Sequence, residues 1–411
     1  MKILYFHQHF NTPKGTGGSR SYEMAKALIA RGHDVTMICG TSAKANIELP
    51  GSFKKGIKTG VVDGIPVVLL DLPYSNYDSF IKRSMIFLRY AWKCIGIALR
   101  SEADLIFATS TPLTAGIPGI ISKLLRRKPR FVFEVRDLWP ELPREMGVIK
   151  NPVVLWAMGV LEYLSYRCAD ACVGLSPGIV EGIKKRVPKK EVAMIPNSSD
   201  VDLFNPLNRE KSSPYDHHLG RHFIAMFTGA HGIANGLDAV LDAARELQSL
   251  GRRDIEIFLL GDGREKPRLR QRVEGEGITN VVFLEPIPKV ELCNFLPKVH
   301  AGLMILDNVP AFYNGTSPNK FFDYIASGIP VINNYPGWLA SMIEAQKIGL
   351  AVVPGNPLKF ADALCYLADN PDEAREMGVR ARQFAETEFN RQKLASKLCT
   401  FLESQSEQKP V

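Results

Sequence analysis

The feature that most constrains this chain is a repeated alternation of short apolar runs with amphipathic helical patterns. The runs have the length of strands, and strands that stay apolar throughout are typical of parallel sheets covered by helices on both faces. In the first half they read KILYF, DVTMI, IPVVLL, DLIFAT, FVFEV, DACVGLS and VAMIP, and in the second half FIAMFT, IEIFLLG, VVFLE, AGLMIL, IPVIN and LAVV. The pattern predicts α/β architecture: two doubly wound, Rossmann-like parallel-sheet domains that face a cleft at the carboxyl ends of their strands.

The alternation is interrupted once, between residues 196 and 220. This segment is rich in Pro, Ser, Asn and Asp and has no apolar periodicity, which is typical of a domain boundary. A chain of 411 residues also exceeds the size of one ordinary domain. We expect an N-terminal domain over 1–200, a second domain over 201–385, and a C-terminal helix over 386–411 that crosses back to the N-terminal domain.

Charge is distributed unevenly between the halves. Residues 1–205 hold 28 Lys and Arg against 18 Asp and Glu, a net charge of +10, whereas residues 206–411 hold 23 against 25, a net charge of −2. The first half is therefore expected to meet an anionic surface or acceptor. The seven Cys contain no CxxC pair, and the N-terminus reads as a first strand rather than a signal peptide, so a reduced, cytoplasmic location is expected.

Small-residue turns follow several of the predicted strands. Glycine at such a turn lets backbone amides approach a ligand, and a helix N-terminus next to it attracts phosphate. Neither GxGxxG nor GxxxxGK[ST] is present, so a dinucleotide site or a P-loop is not supported. A flexible loop in the first half and ordinary turns in the second remain the alternatives. The candidate donor-binding residues in these turns and the strand end beside them are Gly17, Gly18, Gly229, Gly232, Gly261, Gly263, Arg264 and Leu284.

The stretch GTSPNK precedes an apolar helical pattern and the apparent strand PVIN. It adds backbone donors and a Lys at a helix N-terminus, with a carboxylate one turn later. The alternative is a Lys that only caps a surface turn. The candidates are Thr316, Ser317, Asn319, Lys320 and Asp323, with Lys320 also assigned to catalysis.

The charged cluster RDLWPE follows the buried strand FVFEV. Arg136, Asp137 and Glu141 are expected at the carboxyl end of a strand, facing the cleft, and are candidate catalytic residues. An ion pair that anchors the loop is the alternative.

Residues 79–100 form a helical pattern with Lys82, Arg89, Lys93 and Arg100 on one face. Internal charges argue against a helix that spans a membrane, and a basic amphipathic helix on an anionic membrane surface fits better. A second basic cluster lies at 123–130. A core helix with a solvated stripe is the alternative.

No metal site or cofactor is expected. His7 and His9 alternate on a strand but have no third ligand to nominate, and Asp200-x-Asp202 reads as a turn within the predicted boundary.

Taken together and in order, these motifs resemble the GT-B glycosyltransferases of the retaining family 4, over nearly the whole chain. The resemblance is carried by GGSRSYEMAKALIARGHDVTMI, PNSSDVDLFNP, LGDG and ASGIPVI. FEVRDLWPE and SPNKFFDYIASGIPVI are similar to the branch that builds bacterial O-antigen and capsule repeat units, such as UDP-sugar transferases for N-acetyl-L-fucosamine.

That resemblance implies a retaining hexosyl or N-acetylhexosaminyl transferase. The donor would be a UDP-sugar, and the acceptor a saccharide on undecaprenyl diphosphate. The enzyme would be cytoplasmic and peripheral on the anionic inner face of the bacterial inner membrane, with no nucleic-acid partner. Family members also use their second acidic residue, here Asp323, to bind the donor ribose.

The sequence departs from the family pattern at several positions. Ala230 and Asn235 stand where the family has an Arg and a Lys that grip the diphosphate, and Gly315 replaces the first acid of its E-x7-E motif. The His found near RDLWPE is missing as well. We expect Arg264 and Lys320 to compensate. The alternatives are a nucleotide-sugar 2-epimerase of the same fold and a degenerate nucleotide-sugar-binding partner.

Overall fold

The computed structural model describes residues 1–42, 45, 47–75, 77–126, 128–220 and 222–407. It divides into two compact units. The first comprises Met1–Pro196, Gly315–Ser317 and Gln392–Val411, and the second comprises Asn197–Asn314 and Pro318–Arg391. Of the segment expected to form a C-terminal helix, residues 408–411 lie outside the described residues.

The first unit is built on an eight-stranded sheet with the order β3-β4-β2-β1-β5-β6-β7-β8. All neighbouring strands are parallel except β3 and β4. Every strand predicted in this half is present. The strands are β1 (Lys2–Phe6), β2 (Asp34–Ser42), β3 (Ile57–Val62), β4 (Ile65–Tyr74), β5 (Leu105–Thr109), β6 (Arg130–Val135), β7 (Ala171–Gly174) and β8 (Glu191–Met194).

Strand β3 is the one element of this sheet that the apolar pattern does not predict. It pairs antiparallel with β4 through a two-residue turn, in which Asp63 and Gly64 have φ of 48° and 87°. Both turn residues need positive φ in the tight hairpin that suits twisted strands, and Asp-Gly supplies this at little cost. The Asp-Gly pair between two apolar stretches is the signal that would have found this hairpin.

Helices cover both faces of the first sheet. The connections from β4 to β5, β5 to β6 and β6 to β7 all advance in the same direction, and right-handed crossovers then put their helices on one face. Helix α3 packs against both α2 and α5. The helices are α1 (Arg20–Ala30), α2 (Phe80–Arg100), α3 (Ile117–Arg126), α4 (Glu141–Glu145), α5 (Pro152–Cys168), α6 (Pro177–Arg186) and, from the C-terminal end, α15 (Arg391–Glu407), with a 3₁₀ helix at Leu113–Gly116.

The C-terminal helix α15 completes the first unit. Arg31 donates to the Glu403 carboxylate at 2.9 Å, and Gln405 donates to Glu191 at 3.0 Å. Leu398 and Leu402 on the same helix are fully buried. The helix therefore supplies both apolar packing and charged contacts to this unit.

The second unit contains a six-stranded parallel sheet with the order β11-β10-β9-β12-β13-β14. Its first strand in the chain, β9, lies between β10 and β12, so the strand order reverses there, which is where doubly wound sheets bind ligands. The strands are β9 (Phe223–Thr228), β10 (Ile255–Leu260), β11 (Val281–Leu284), β12 (Ala301–Met304), β13 (Val331–Asn333) and β14 (Gly349–Ala351).

Helices pack on both faces of this sheet as well, and one apolar core joins strands β9, β10 and β12 to α7 and α13. The two doubly wound parallel-sheet domains predicted from the sequence are confirmed. The helices are α7 (Asp238–Ser249), α8 (Lys266–Gly275), α9 (Lys289–Phe295), α10 (Pro310–Gly315), α11 (Asn319–Ala326), α12 (Trp338–Gln346), α13 (Pro357–Asp369) and α14 (Pro371–Glu388), with 3₁₀ helices at Pro206–Glu210, Asp216–His218, Ile233–Asn235 and Leu296–Lys298.

Among the residues that the structure describes, no helix combines the length and the apolar character needed to cross a membrane.

Candidate functional site

In the second unit, the glycine turns after β9 and β10 lie against each other. A Cβ on Gly261 would stand 1.8 Å from the Gly229 carbonyl oxygen, and Gly261 has φ of 150°. A Cβ on Gly263 would stand 2.4 Å from the carbonyl oxygen of His231. Only glycine permits this backbone contact. The predicted residues Gly229, Gly261 and Gly263 are thus brought together at the carboxyl edge of the sheet.

Leu284 belongs to the same edge, since the Gly261 N–H donates to its carbonyl oxygen at 3.1 Å. Gly232 stands immediately before the 3₁₀ helix Ile233–Asn235 and has open space around its Cα. Arg264 follows Gly263 and is exposed.

The Lys320 side chain reaches the first of these turns from helix α11. Its ammonium donates to Asn235 Oδ1 at 2.8 Å and lies 3.7 Å from the centroid of the Phe227 ring. The Asn235 amide in turn donates to the Ala230 carbonyl oxygen at 2.8 Å. Lys320 therefore bonds to Asn235, which bonds in turn to Ala230, and these are the two positions at which the family resemblance implies cations.

Burial lowers the pKa of the Lys320 ammonium well below its ordinary value. Its hydrogen-bond acceptor is a neutral amide, which stabilises the charged form less than a carboxylate would. An anion bound at this turn would offset the desolvation and favour the charged form.

Helix α11 begins at Asn319, directly after Pro318, which has the extended backbone of a residue preceding a helix. The predicted residues Thr316 and Ser317 fall in the segment Gly315–Ser317, which clusters with the first unit.

Asp323, one turn beyond Lys320, forms a buried ion pair. Lys289 on α9 donates to Asp323 Oδ2 at 2.7 Å, and Ser199 Oγ donates to Oδ1 at 3.3 Å. The Lys289 ammonium also lies 5.3 Å from the Phe204 ring centroid. The carboxylate that the resemblance assigns to ribose binding is thus held in place by a lysine that sequence reasoning missed. These residues are far apart along the chain, and no local motif links them.

His231 was also missed. Its N–H donates to the Asp262 carbonyl oxygen and its own carbonyl accepts from Glu265, so it joins the two glycine turns. Burial lowers the pKa of its imidazole to about 4, so the ring is neutral at neutral pH. Neither ring nitrogen has a hydrogen-bond partner among the described residues.

The first unit contains a network of polar side chains at the carboxyl ends of its strands. Its centre is a buried ion pair between Arg20 and Glu134. Arg20 Nε and Nη2 donate to Glu134 Oε2 at 3.0 and 2.8 Å, and its Nη1 donates to the Pro196 carbonyl oxygen at 2.6 Å. Burial opposes ionisation of Glu134, but the guanidiniums of Arg20 and Arg136 outweigh it and hold the pKa of this carboxyl below its usual value. Glu134 is therefore ionised and fixes both arginines.

Arg136 and Asp137 extend this network at the ends of β5 and β6. Arg136 donates from Nε to Thr109 Oγ1 at 2.8 Å and from Nη2 to Ser21 Oγ at 3.0 Å. Asp137 accepts a hydrogen bond from Thr111 Oγ1 at 3.2 Å, and burial raises the pKa of its carboxyl.

Glu141, the third residue of the predicted cluster, points elsewhere. It begins the short helix α4, where its carboxylate lies 3.8 Å from Arg186 Nη2. Arg186 also lies 3.1 Å from the buried Glu162, whose pKa is raised to about 7 by burial. The structure thus joins Arg136 with Asp137 in one region and pairs Glu141 with a different group.

The predicted loop at Gly17 and Gly18 lies between strand β1 and helix α1. A Cβ on Gly17 would stand 2.7 Å from the Asn11 side-chain amide. Within the described part of the chain, the buried amide groups of Gln8 and Asn11 have no hydrogen-bond partner. Helix α1 starts at Arg20.

Burial lowers the pKa of His7 well below its ordinary value and that of His9 to about 4. Across the described residues, no three His, Cys, Asp or Glu side chains are grouped as metal ligands. Asp200 Oδ1 accepts from the N–H groups of Asp202 and Leu203, which is a turn.

The four basic residues of helix α2 that were assigned to a membrane-facing stripe do not form a free stripe. Lys82 pairs with Asp78 at 2.6 Å, Lys93 donates to the Gly56 carbonyl oxygen at 3.0 Å, and Arg100 donates to the Gly96 carbonyl oxygen at 2.9 Å. Arg89 is exposed.

The second basic cluster is also partly occupied. Lys123 and Arg130 both bind Asp170, and Arg126 donates to the Leu99 carbonyl oxygen at the end of α2. Arg127 lies outside the described residues.

Two doubly wound parallel-sheet units, the second with glycine turns and a lysine at its carboxyl edge, define the GT-B class of fold. Residues 15–198 match the family described as glycosyl transferase 4-like domain, and residues 222–370 match the family described as glycosyl transferases group 1. By these matches residues 15–198 belong to one glycosyltransferase family and residues 222–370 to another, and together they cover most of the chain.

Solved structures share the fold over the whole chain. Sucrose-phosphate synthase from Thermosynechococcus elongatus superposes with a TM-score of 0.75 at 17% identity, covering 98% of each chain. Anabaena HepE, solved in complex with UDP and glucose, superposes with a TM-score of 0.69 at 17% identity, covering 98% of this chain and 100% of that one.

A relative by sequence is D-inositol 3-phosphate glycosyltransferase of Corynebacterium urealyticum. It is 26% identical over 212 residues, which cover 48% of this chain and 47% of that protein. The chain thus spans about half the length of the curated relatives it matches.

Proposed function

We propose that this protein is a retaining glycosyltransferase that moves a hexosyl or N-acetylhexosaminyl group from a UDP-sugar to a lipid-linked saccharide. The observation that carries the proposal is the Lys320 ammonium, held at 2.8 Å by Asn235 beside the turn at Gly229. It provides a cation at the edge where doubly wound sheets bind ligands, and it adjoins the positions that lack the family's usual cations.

The donor diphosphate binds to the second unit in this proposal. Backbone N–H groups of the glycine turns, the N-terminus of α11 and the Lys320 ammonium would surround it. Negative charge grows on the departing UDP, and donors aimed at that charge in advance stabilise the transition state. Asn319 begins α11 and is assigned to the same role, with exposed Arg264 as a second cation. Thr316 and Ser317 precede α11 and stay predictions from the sequence, because they group with the first unit.

Asp323 would accept hydrogen bonds from the ribose hydroxyl groups. Its buried ion pair with Lys289 fixes its position. Leu284, at the carboxyl end of β11, would contact the nucleoside.

The sugar and the acceptor are assigned to the first unit, which contains Arg136 and Asp137. The guanidinium of Arg136 is oriented by Thr109 and Ser21, so it can hold an anionic or hydroxyl group of the substrate without first losing rotamer entropy. Retention is proposed to proceed with help from the leaving phosphate, which takes the acceptor proton. No protein nucleophile is then needed.

The acceptor is proposed to be a saccharide on undecaprenyl diphosphate, within O-antigen or capsule synthesis at the inner membrane. The net charge of +10 in residues 1–205 supports an anionic acceptor and an anionic membrane surface. The enzyme would then be cytoplasmic and peripheral on that membrane.

UDP release tests this proposal. Purified protein is incubated with candidate UDP-sugars and an extract of lipid-linked acceptors, and the product is identified by mass. We expect UDP release that requires acceptor and that survives EDTA, because helix N-termini and Lys320 replace a metal in this proposal.

Three results would count against it. Sugar isomerisation without acceptor would identify a 2-epimerase instead. UDP-sugar binding without turnover would identify a degenerate binding partner. A rate that collapses in EDTA and returns with Mn²⁺ would refute metal independence.

A further inference from the structure

The solvent-facing side of helix α5 is apolar. Val153 and Trp156 are 69% and 70% exposed, and Val160, Tyr163 and Leu164 continue the same face toward the end of the helix. Their spacing of 3, 4, 3 and 1 residues keeps them on one side. A helix that faces water normally carries polar side chains there.

Helix α2 exposes a second apolar stripe. Trp92 is 77% exposed, and the stripe repeats at intervals of 4, 3 and 4 residues through Ile81, Met85, Leu88 and Trp92. Leu124 and Leu125 of α3 are exposed as well, and α3 packs against both neighbours on the same face of the sheet. We call the exposed apolar residues of these three helices the α2–α3–α5 face.

We propose that the α2–α3–α5 face inserts into the boundary between the headgroups and acyl chains of an anionic lipid bilayer. The partner would contact two tryptophans, a tyrosine and several aliphatic side chains, which is the composition of an interfacial anchor. Exposed basic residues adjoin the apolar ones, namely Arg89, Lys150 and Arg167. These would remain at the headgroup level and bind lipid phosphates.

Charge favours a bilayer over a second copy of this chain as the occupant. The half of the chain that carries the face has a net charge of +10. Two copies packed through this face would bring like charges together, whereas an anionic membrane complements them.

The inference deepens the peripheral attachment proposed above and changes its physical basis. Three of the four basic residues assigned to that attachment already bond to groups of their own chain. Apolar insertion, rather than the basic stripe of α2 alone, would then supply most of the binding. Salt should weaken binding only in part.

The experiment measures partitioning of the full chain onto vesicles of phosphatidylglycerol and phosphatidylethanolamine, and onto vesicles of phosphatidylcholine alone. Val153→Gln/Trp156→Gln and Leu88→Gln/Trp92→Gln should each lower partitioning by about tenfold or more. The matched control is Val353→Gln/Val379→Gln, since these second-unit residues are 67% and 65% exposed. It should bind as wild type. Lys82→Gln/Arg89→Gln/Lys93→Gln/Arg100→Gln should bind more weakly only where anionic lipid is present.

The depth to which the α2–α3–α5 face inserts is measured by quenching of tryptophan fluorescence with lipids brominated near the headgroup. Wild type should be quenched, and Trp92→Phe/Trp156→Phe should still bind but lose the quenching.

Unchanged partitioning of both glutamine pairs would overturn the proposal. So would a loss of self-association in those variants without any change in vesicle binding, because the face would then pack against a second copy. A failure of the proposed transfer reaction can be told apart from a failure of the membrane proposal. Lys320→Ala should lose transfer activity but should bind vesicles as wild type does.

Discussion

Lys320 and Asn235 are 85 residues apart in the chain, and the lysine ammonium lies 2.8 Å from the asparagine Oδ1 at the carboxyl edge of the second sheet. Asn235 occupies a position where related enzymes are expected to carry a lysine. Lys320 of helix α11 therefore places an ammonium beside the turn in which Asn235 itself is uncharged. The proposed donor site depends on this exchange, in which a lysine of α11 takes the place of a lysine in the turn.

Replacing Lys320 tests that exchange directly. Loss of one charge-assisted contact to the leaving group commonly costs about 2–4 kcal/mol, or roughly 30- to 1,000-fold in rate. Lys320→Ala should lose kcat by such a factor, and Lys320→Arg should recover little, because a planar guanidinium does not replace a compact ammonium.

The double variant Asn235→Lys/Lys320→Ala should regain part of the rate, since it returns a cation to the same turn. Lys359→Ala, an exposed lysine of the same unit, is the control. More than about half the wild-type rate in Lys320→Ala at saturating donor would mean that Lys320 only caps a turn.

Binding of UDP should take up protons. The pKa of Lys320 lies well below its ordinary value in the free protein, and a bound diphosphate raises it by opposite charge. A proton is then bound between these two pKa values, so affinity for UDP should increase as pH falls through this window. Calorimetry in buffers of different ionisation enthalpy measures the uptake. Equal apparent enthalpies in all buffers, or equal uptake by Lys320→Ala, would contradict the assignment.

The buried pair of Asp323 and Lys289 predicts separate effects on stability and on donor binding. Asp323→Asn and Lys289→Met each leave one buried group without its charged partner, at a cost of about 3 kcal/mol. The double variant should lose less than the sum of the two. Denaturant unfolding measures these values.

Kinetics isolates the ribose contact. Asp323→Asn should raise the donor KM more than it lowers kcat. Equal activity with a 2′-deoxy donor and the normal donor would argue against the ribose role.

Asp137 is expected to act in the transfer step rather than in donor binding. Asp137→Ala should lower kcat while donor affinity stays near that of wild type. Glu141→Ala is a matched control, because the structure pairs Glu141 with Arg186 and away from Arg136. It should retain more activity. Trapping of a covalent sugar on Asp137 would overturn the absence of a protein nucleophile.

The fold could be predicted from the sequence because strand periodicity is local. All thirteen predicted strands are present, and the hairpin strand β3 was missed because its alternating, half-exposed residues lack a continuous apolar run. The glycine turns of the second unit were predictable for the same reason, since Gly229 and Gly261 follow their strands directly.

The contacts that complete the site depend on tertiary packing. Arg20 reaches Glu134 across 114 residues, and Lys289 reaches Asp323 across 34. No spacing along the chain encodes those pairs. The prediction of a free basic face on α2 has a related explanation. Helical periodicity gives the direction of the Lys93 side chain, but it does not reveal that Lys93 donates to the Gly56 carbonyl oxygen.

Helix α15 has a consequence for how the protein is made. The first unit buries Leu398 and Leu402 and bonds Arg31 to Glu403, yet these residues are translated only after the whole second unit. During synthesis the surface of the first unit that contacts α15 therefore stays open to solvent until α15 has been translated. The second unit is translated before the first unit has all of its residues. Demand for chaperones should therefore be greatest between the synthesis of the N-terminal sheet and the synthesis of α15.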